Sequence, residues 1–168
     1  LPEGYTWRVG GANEENQEST QAIIQQMNLA LLLILITMVL QLNSFRKAAI
    51  VIMIIPLAVA GVIFNFTIFG IPLSFPSLIG ILSLFGIVVN NSIMLVEKIN
   101  KNFELGISFK EGLIEACVSR LEPIMFTTLT TIMGLLPITI SDPFWRGLGG
   151  AIIAGLSVSG ILILIVLP

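Results

Sequence analysis

The stretch Gly86-Ile-Val-Val-Asn-Asn-Ser-Ile-Met-Leu-Val-Glu97 places two adjacent amides inside an apolar segment. The surrounding run, Leu73 to Val96, is otherwise apolar apart from scattered serines, and its roughly 24 residues are enough to cross a bilayer as a helix. An unpaired amide in hydrocarbon costs roughly 1 to 3 kcal/mol, so Asn90 and Asn91 should face other helices or a wet cavity. We therefore expect this helix at the centre of a bundle.

The composition of the chain is that of an integral membrane protein. Of its 168 residues, 55% are hydrophobic and 11% are charged, which is too apolar for an ordinary soluble domain. A net charge of -2 without a long basic run gives no sign of a nucleic-acid partner. The sequence has no histidine, the commonest metal ligand and general base, and its single cysteine cannot form an internal disulfide. We therefore expect that the protein is not an enzyme and that it has neither a cofactor nor a metal site.

Apolar segments separated by short polar breaks predict five transmembrane helices. Backbone groups in a bilayer core must bond within a helix or a closed barrel, and these segments lack the period-two alternation of barrel strands. The predicted spans run approximately from Met27 to Leu42, Ala48 to Phe69, Leu73 to Val96, Ile124 to Ile140 and Leu148 to Pro168.

Basic residues indicate the orientation of these spans. If the loops alternate between sides, six basic residues fall on one side and two on the other, which places the six in the cytoplasm. The amino terminus is then outside and the carboxyl end inside. The six are Arg46, Lys47, Lys98, Lys101, Lys110 and Arg120.

The first 21 residues differ from the rest of the chain. Alternating apolar and polar residues from Tyr5 to Gly10 predict a half-exposed strand before a turn. No later segment offers a second strand of this kind, so the strand is expected to pair with sequence outside this chain. We therefore interpret the chain as a fragment, in which residues 1–21 close a region outside the membrane and residues 22–168 form a transmembrane domain.

The break from Lys98 to Glu122 contains a predicted helix of its own. Ser108 and Glu111 fit a capping box, in which the serine oxygen accepts from a first-turn N–H. Apolar residues then recur at helical spacing, which favours a short amphipathic helix along the cytoplasmic surface. The alternative is a connecting helix packed on its neighbours. The apolar positions are Phe109, Leu113, Ala116 and Cys117.

Small and polar residues inside the spans predict how the helices pack. One set in the fourth span forms a small polar face, which favours close packing, with a proton path lined by hydroxyls as the alternative. A ladder in the last span predicts close contact with a neighbouring helix. Pro56 and Pro137 predict kinks or, alternatively, hinges. The face comprises Thr127, Thr130, Thr131 and Gly134, and the ladder comprises Gly147, Ala151, Gly155 and Ser159.

These motifs, in this order, resemble the carboxyl-terminal membrane half of resistance-nodulation-division (RND) efflux transporters of the acriflavine-resistance and hydrophobe/amphiphile type. The stretch Gly86 to Glu97 resembles the tenth transmembrane helix of that family. Arg120 to Thr128, followed by Gly134 to Pro137, resembles the eleventh. Further resemblances are Leu1 to Trp7 with the last periplasmic porter strand, Gln17 to Gln21 and Gln41 to Phe45 with the two ends of the eighth helix, and Ile55 to Leu57 with the ninth.

The resemblance implies a proton-driven multidrug exporter of the bacterial inner membrane. In such transporters, paired aspartates on the fourth helix, in the amino-terminal half, pick up protons and face the tenth and eleventh helices. Asn90 and Asn91 match the tenth-helix positions, and Thr127 and Arg120 match the relay threonine and arginine. The implied partners are the lipid bilayer, the amino-terminal half of the polypeptide, further copies in a homotrimer, a periplasmic adaptor and an outer-membrane channel.

Asn90 departs from the pattern of many multidrug members, which carry a lysine there that pairs with the aspartates. An amide cannot supply that charge, so coupling would rest on hydrogen bonds, water and Arg120, or on a partner subunit. Asn90 and Asn91 could also serve only as interhelical hydrogen-bond partners. The alternative function is a non-drug or inactive-partner RND relative acting in protein export, lipid handling or a heteromeric pump. An intramembrane enzyme has little support, because the sequence also lacks Gly-x-Ser-x-Gly.

Overall fold

The computed structural model describes residues 11–166, except for the side chains of residues 12, 13, 15, 164 and 166. Within this range every regular element is a helix. The strand predicted from Tyr5 to Gly10 lies outside the described residues. The helices are α1 (Ala12–Leu42), α2 (Phe45–Ile52), α3 (Ile54–Phe69), α4 (Phe75–Glu104), α5 (Phe109–Ser141) and α6 (Arg146–Val166).

Five helical segments of the described part of the chain are long and apolar enough to cross a membrane. The predicted all-α, multi-pass membrane fold is therefore confirmed. Helix α1 runs without a break from Ala12 to Leu42, so the helix that contains the first predicted span begins well before Met27. The five segments are Asn16–Leu42, Phe45–Phe69, Phe75–Glu104, Phe109–Ser141 and Arg146–Ile163.

The second span is interrupted at Met53, which separates α2 from α3. Pro56 lies at the start of α3 and has no N–H, so it cannot bond to the carbonyl of Ile52 four residues earlier. The interruption therefore falls within one turn of the proline, as the predicted kink at this residue requires. Pro137 has no such effect, because α5 continues past it to Ser141.

Helices α4 and α6 form the centre of the bundle. In the most apolar stretches of these helices, 61% of the residues of α4 and 56% of those of α6 are buried, compared with 6% for α1 and for α5. The prediction that α4 is central is confirmed, but α6 shares that position. Helix α6 contacts α3, α4 and α5, whereas α1 lies against α4 and α2.

The small-residue ladder of α6 permits its close contact with α4, as predicted. Gly147, Ala151, Gly155 and Ser159 are all buried. A β-carbon at Gly80 of α4 would lie 2.7 Å from the Leu148 carbonyl oxygen and 2.9 Å from the Ala151 β-carbon. The two helix backbones therefore approach as closely as small residues allow.

The amphipathic segment from Phe109 is helical, as predicted, but it is the first part of α5 rather than a separate helix. Its buried residues, Gly112 and Ala116, face inward. The Phe109 ring stacks on Phe103 of α4 with centroids 5.4 Å apart. The segment is thus packed on a neighbouring helix, which corresponds to the alternative considered from the sequence.

The predicted capping box at Ser108 forms with a different hydrogen bond. The Ser108 hydroxyl donates to the Glu111 carboxylate over 2.8 Å, and its oxygen accepts no bond from a first-turn N–H. A serine pair closes the start of α4 instead, where the Ser74 N–H donates to Ser77 Oγ over 3.2 Å. Ser77 is not the Glu or Gln that the capping-box pattern requires, so sequence spacing did not predict the bond at Ser74.

Asn102 is expected to hold the α4–α5 hairpin together. Its side chain is fully buried, and its Nδ2 donates to the Gly112 carbonyl over 2.8 Å. Replacing Asn102 with alanine removes this bond between the two helices, which should lower stability by about 0.5–1.5 kcal/mol. Thermal unfolding of the complete protein in detergent measures the change. Asn65→Ala is the control, because Asn65 forms no hydrogen bond to any described residue; equal losses in both variants would contradict the prediction.

Candidate functional site

Helix α4 is covered on all sides except one. Between Phe75 and Asn102 its exposed residues recur at intervals of three or four, so they form a single face. We call this face the open stripe of α4. Asn90 lies at its middle, and two charged residues lie at one end. The open stripe comprises Ser83, Gly86, Asn90, Met94, Glu97 and Lys101.

The two adjacent amides point to different surroundings. Asn90 is exposed on the open stripe, whereas Asn91 is only 8% exposed and lies among the packed helices. Within residues 11–166, the side chain of neither asparagine forms a hydrogen bond. The expectation that both amides face other helices or a cavity therefore holds for Asn91, and Asn90 keeps all its donors and acceptors available.

The threonines of α5 are divided between two faces of the helix. Thr127 and Thr130 are exposed, and Thr131 is half-buried. The close packing predicted for the face that they share with Gly134 does not occur among the described residues, since no atom lies within 4 Å of a β-carbon built at Gly134. Contact with α6 is made by Thr128 instead, whose Oγ1 would lie 3.7 Å from a β-carbon at Gly160.

The Thr127 hydroxyl donates a hydrogen bond within its own helix. Its Oγ1 bonds to the Ile124 carbonyl over 3.0 Å, and Thr131 bonds in the same way to the Thr127 carbonyl over 2.7 Å. A hydroxyl whose proton is used in this way can still accept through its oxygen lone pairs. Thr127 is therefore placed to accept a hydrogen bond rather than to donate one.

Arg120 lines a charged cavity of about 520 Å³ between α4 and α5. The arginine is half-buried, and its Nε is buried without a hydrogen-bond partner among the described residues. Glu97 and Lys101 of the open stripe line the same cavity, together with Lys98 and Ser119. The cavity therefore lies at one end of the stripe that carries Asn90.

Ionic and polar contacts fix the helices around this cavity. Lys98 Nζ lies 3.2 Å from Glu115 Oε1 and joins α4 to α5. Gln41 Nε2 donates to Glu97 Oε1 over 3.1 Å and joins α1 to α4. Lys101 has no ion pair within the described part of the chain. Three basic side chains and one carboxylate line the cavity, so its lining carries a net positive charge.

Asn90 on α4 and Thr127 on α5 lie at similar positions along the axis of the bundle. Glu97 and Arg120 line one cavity, and α4 and α5 form an antiparallel hairpin. Asn90 precedes Glu97 by seven residues and Thr127 follows Arg120 by seven, so each lies about 10 Å from the cavity along its helix. Asn90 and Thr127 are therefore level with each other, although no hydrogen bond joins any two of the predicted residues.

The charged residues around Arg120 were missed from the sequence as site residues. In the sequence, Glu97 ends an apolar span, and Lys98 and Lys101 indicate its orientation. The spacing of Asn90, Glu97 and Lys101 at seven and four residues could have indicated that they share a face. Ser119 gave no such signal, because its place in the cavity depends on how α5 packs on α4.

Comparison with known sequences identifies relatives over the whole chain. Residues 1–168 match the sequence profile of the AcrB/AcrD/AcrF family. The chain is 30% identical over 172 residues to the nickel-cobalt-cadmium resistance protein NccA of Alcaligenes xylosoxydans xylosoxydans, covering 100% of this chain and 16% of NccA. It is 31% identical over 173 residues to the multidrug resistance protein MdtC of Serratia proteamaculans, covering 100% of this chain and 17% of MdtC.

The fold is also found in a solved structure. A crystal structure of a heavy metal efflux pump, crystal form II, superposes with a TM-score of 0.79 at 24% identity, covering 99% of this chain and 17% of the pump. The chain thus spans about one sixth of the length of NccA and MdtC. The motifs, the bundle and the profile match agree, and the chain belongs to the AcrB/AcrD/AcrF family of RND efflux transporters.

Proposed function

We propose that the complete protein is a proton-driven exporter of a bacterial inner membrane. In this proposal residues 22–168 supply the carboxyl-terminal helices of the proton-translocating bundle, and residues 1–21 end the periplasmic porter region. The observation that carries the proposal is the open stripe of α4, which leaves the Asn90 amide uncovered on an otherwise buried helix. Polar groups at membrane depth face partners or water, and the amino-terminal half of the polypeptide is the proposed partner.

Asn90 and Thr127 can respond to the two protonation states of a facing carboxyl group. The Asn90 amide is a hydrogen-bond donor, which suits an ionised carboxylate. The Thr127 oxygen is an acceptor, because its own proton is bonded to Ile124, and it suits a protonated carboxyl. Proton binding would therefore move the carboxyl from one helix towards the other, and a change of charge would become a change of helix packing.

Arg120 would favour release of the proton at the end of the bundle where the charged cavity lies. Its positively charged guanidinium attracts the deprotonated carboxylate. The predicted orientation of the spans places this end of the bundle in the cytoplasm, so the arrangement supports proton release inward. Without a lysine at residue 90, Arg120 carries the role of the fixed positive charge.

Drugs are the proposed substrates, by the resemblance to multidrug members of the family. Relatives named for multidrug resistance and for nickel, cobalt and cadmium resistance are similar to this chain to nearly the same degree. Asn90 in place of lysine favours, as a second candidate, a non-drug or inactive-partner RND protein. The proposed partners are two further copies in a homotrimer, a periplasmic adaptor and an outer-membrane channel.

Efflux assays on the complete protein test this proposal. Pump-deficient cells expressing it are loaded with a dye, and release is followed with and without a protonophore. We expect energised release that stops when the proton gradient collapses. Growth in nickel or cobalt salts forms a second arm, in which protection without dye release would replace the drug assignment by a metal assignment. Good expression with neither activity would favour the inactive-partner candidate.

Asn90 is expected to matter more for transport than its neighbour or than another polar residue of the open stripe. Losing a hydrogen bond to a charged group costs about 1.5–3 kcal/mol, so Asn90→Ala should lower the initial efflux rate by about tenfold or more. Asn91→Ala should have a smaller effect, because Asn91 is turned into the bundle. Ser83→Ala, two turns away on the same stripe, is the control. Equal rates for the Asn90 and Ser83 variants would assign the amide to packing.

A further inference from the structure

Two adjoining cavities lie at the end of the bundle where α1 turns into α2. The first, which we call the apolar cleft, has a volume of about 190 Å³. The second, which we call the polar cavity, has a volume of about 470 Å³ and is lined by Asn43 and Glu104. Lys47, Asn100 and Phe103 line both. The remaining walls of the apolar cleft are Ile50, Val96, Ile99, Phe109 and Leu113.

The polar cavity has one positive and one negative side chain with unused bonding capacity. Lys47 Nζ donates to Asn100 Oδ1 over 2.6 Å, a neutral acceptor that uses one of its three donors. Glu104 is exposed and bonds to no side chain in the described part of the chain. Neither residue forms an ion pair within residues 11–166, so each can bind an opposite charge from a ligand.

We propose that these cavities bind a phospholipid with a zwitterionic, primary-amine headgroup, an ethanolamine phospholipid. Its phosphate would accept from Lys47, its ammonium would donate to Glu104, and part of an acyl chain would fill the apolar cleft. An anionic glycerol headgroup offers Glu104 only neutral hydroxyl donors and no positive charge. A choline headgroup carries a quaternary ammonium, which has no N–H to donate. The chemistry of the two cavities therefore matches one class of membrane lipid.

The geometry of the cleft suits an acyl chain. The stacked rings of Phe103 and Phe109 lie at 11° to each other and form one flat wall. Six apolar side chains line the cleft, and the only charged one, Lys47, lies where it joins the polar cavity. A ligand that fills both spaces must be apolar at one end and charged at the other, as a phospholipid is.

The apolar cleft faces away from the proposed proton relay, and Glu104 lies 14 residues, or about 21 Å, along α4 from Asn90. At 100° per residue, Val96, Ile99 and Phe103 lie on the side of α4 away from Asn90 and the rest of the open stripe. Covering of the open stripe by another part of the polypeptide would therefore leave the cleft accessible from a different direction. Lipid binding can be measured without a proton gradient, so its failure would not bear on proton-coupled export.

Native mass spectrometry of the complete protein tests the proposal. The purified protein in detergent is mixed with ethanolamine, glycerol or choline phospholipid of identical acyl chains, and bound lipids are counted. We expect the ethanolamine lipid to bind about tenfold more tightly than the other two, which is the ratio expected from one additional charge contact of about 1.4 kcal/mol. Equal binding of all three lipids would overturn the headgroup assignment and with it the proposal.

Charge variants separate the two headgroup contacts. Lys47→Gln should weaken binding of every phospholipid, and Glu104→Gln should remove only the preference for ethanolamine. Lys110→Gln is the matched control, because Lys110 is exposed and lines neither cavity. A loss in the Lys110 variant equal to that in the Lys47 variant would show that binding follows net charge, and the proposal would fail.

A substitution that fills the apolar cleft with a larger side chain tests the acyl-chain contact without changing any charge. Ile50→Trp should block the acyl chain and abolish retention of the ethanolamine lipid, while Lys47 and Glu104 remain. Ile63→Trp is the control, because Ile63 is exposed on α3 and lines neither cavity. Unchanged lipid retention in the Ile50 variant would exclude the cleft as the acyl site.

Discussion

Replacing Arg120 with alanine in the complete protein is expected to abolish energised export while leaving the amount of protein in the membrane unchanged. The guanidinium is half-buried, and its Nε has no hydrogen-bond partner among the described residues, so it contributes little to holding α5 in place. In the proposed relay its fixed charge attracts the deprotonated carboxylate. The initial rate of dye efflux, normalised to protein detected in the membrane, measures the effect.

Two further arginine substitutions sharpen this test. Arg46→Ala removes an exposed arginine without a described partner and should leave export unchanged. Arg120→Lys keeps the charge but loses the planar guanidinium, so we expect partial export. Normal efflux by a well-expressed Arg120→Ala protein would remove Arg120 from the relay.

Replacing Gly80 with leucine is expected to prevent α4 and α6 from packing and to lower the amount of folded protein sharply. A β-carbon at residue 80 would meet the Leu148 carbonyl oxygen at 2.7 Å, and a backbone atom cannot move aside as a side chain can. Overpacking of a single core position costs about 1–3 kcal/mol, and separation of the helices adds the loss of contacts along the whole ladder. Thermal unfolding and size-exclusion profiles of the complete protein in detergent measure the effect.

Gly134→Leu is the matched control for this substitution. Gly134 is also inside a long helix, so the gain in helix propensity on replacing glycine is similar. No described atom lies within 4 Å of a β-carbon there, so leucine should fit without displacing a described neighbour. If the two variants lost stability equally, close contact between α4 and α6 would not be the reason.

The sequence predicted the packing of α6 better than that of α5. The ladder from Gly147 to Ser159 repeats at every fourth residue through four consecutive positions, so it marks one face of α6. The fourth span has small or hydroxyl-bearing residues on several faces. Thr127 and Thr128 are adjacent, and which of them contacts α6 depends on the rotation of α5 about its axis.

The two amides at residues 90 and 91 show the same limit at the candidate site. Sequence placed both inside a central span, and burial of α4 confirms that position. Adjacent residues on a helix point about 100° apart, so both cannot face the same neighbour. The positions of α1, α5 and α6 around α4 decided that Asn91 is covered and that Asn90 lies on the open stripe.

The amino-acid sequence by itself determined the all-helical membrane class, the five spans and the family, because hydropathy, span length and motif order are properties of contiguous residues. Only the tertiary structure decided that α6 shares the centre with α4, that the segment from Phe109 continues into α5, and that Arg120 and Glu97 line one cavity. The physical reason is that lipid is as apolar as a protein core, so a helix facing lipid and a helix facing protein can have the same hydrophobic pattern. Which face is covered then depends on the shapes of neighbouring helices that are distant in sequence.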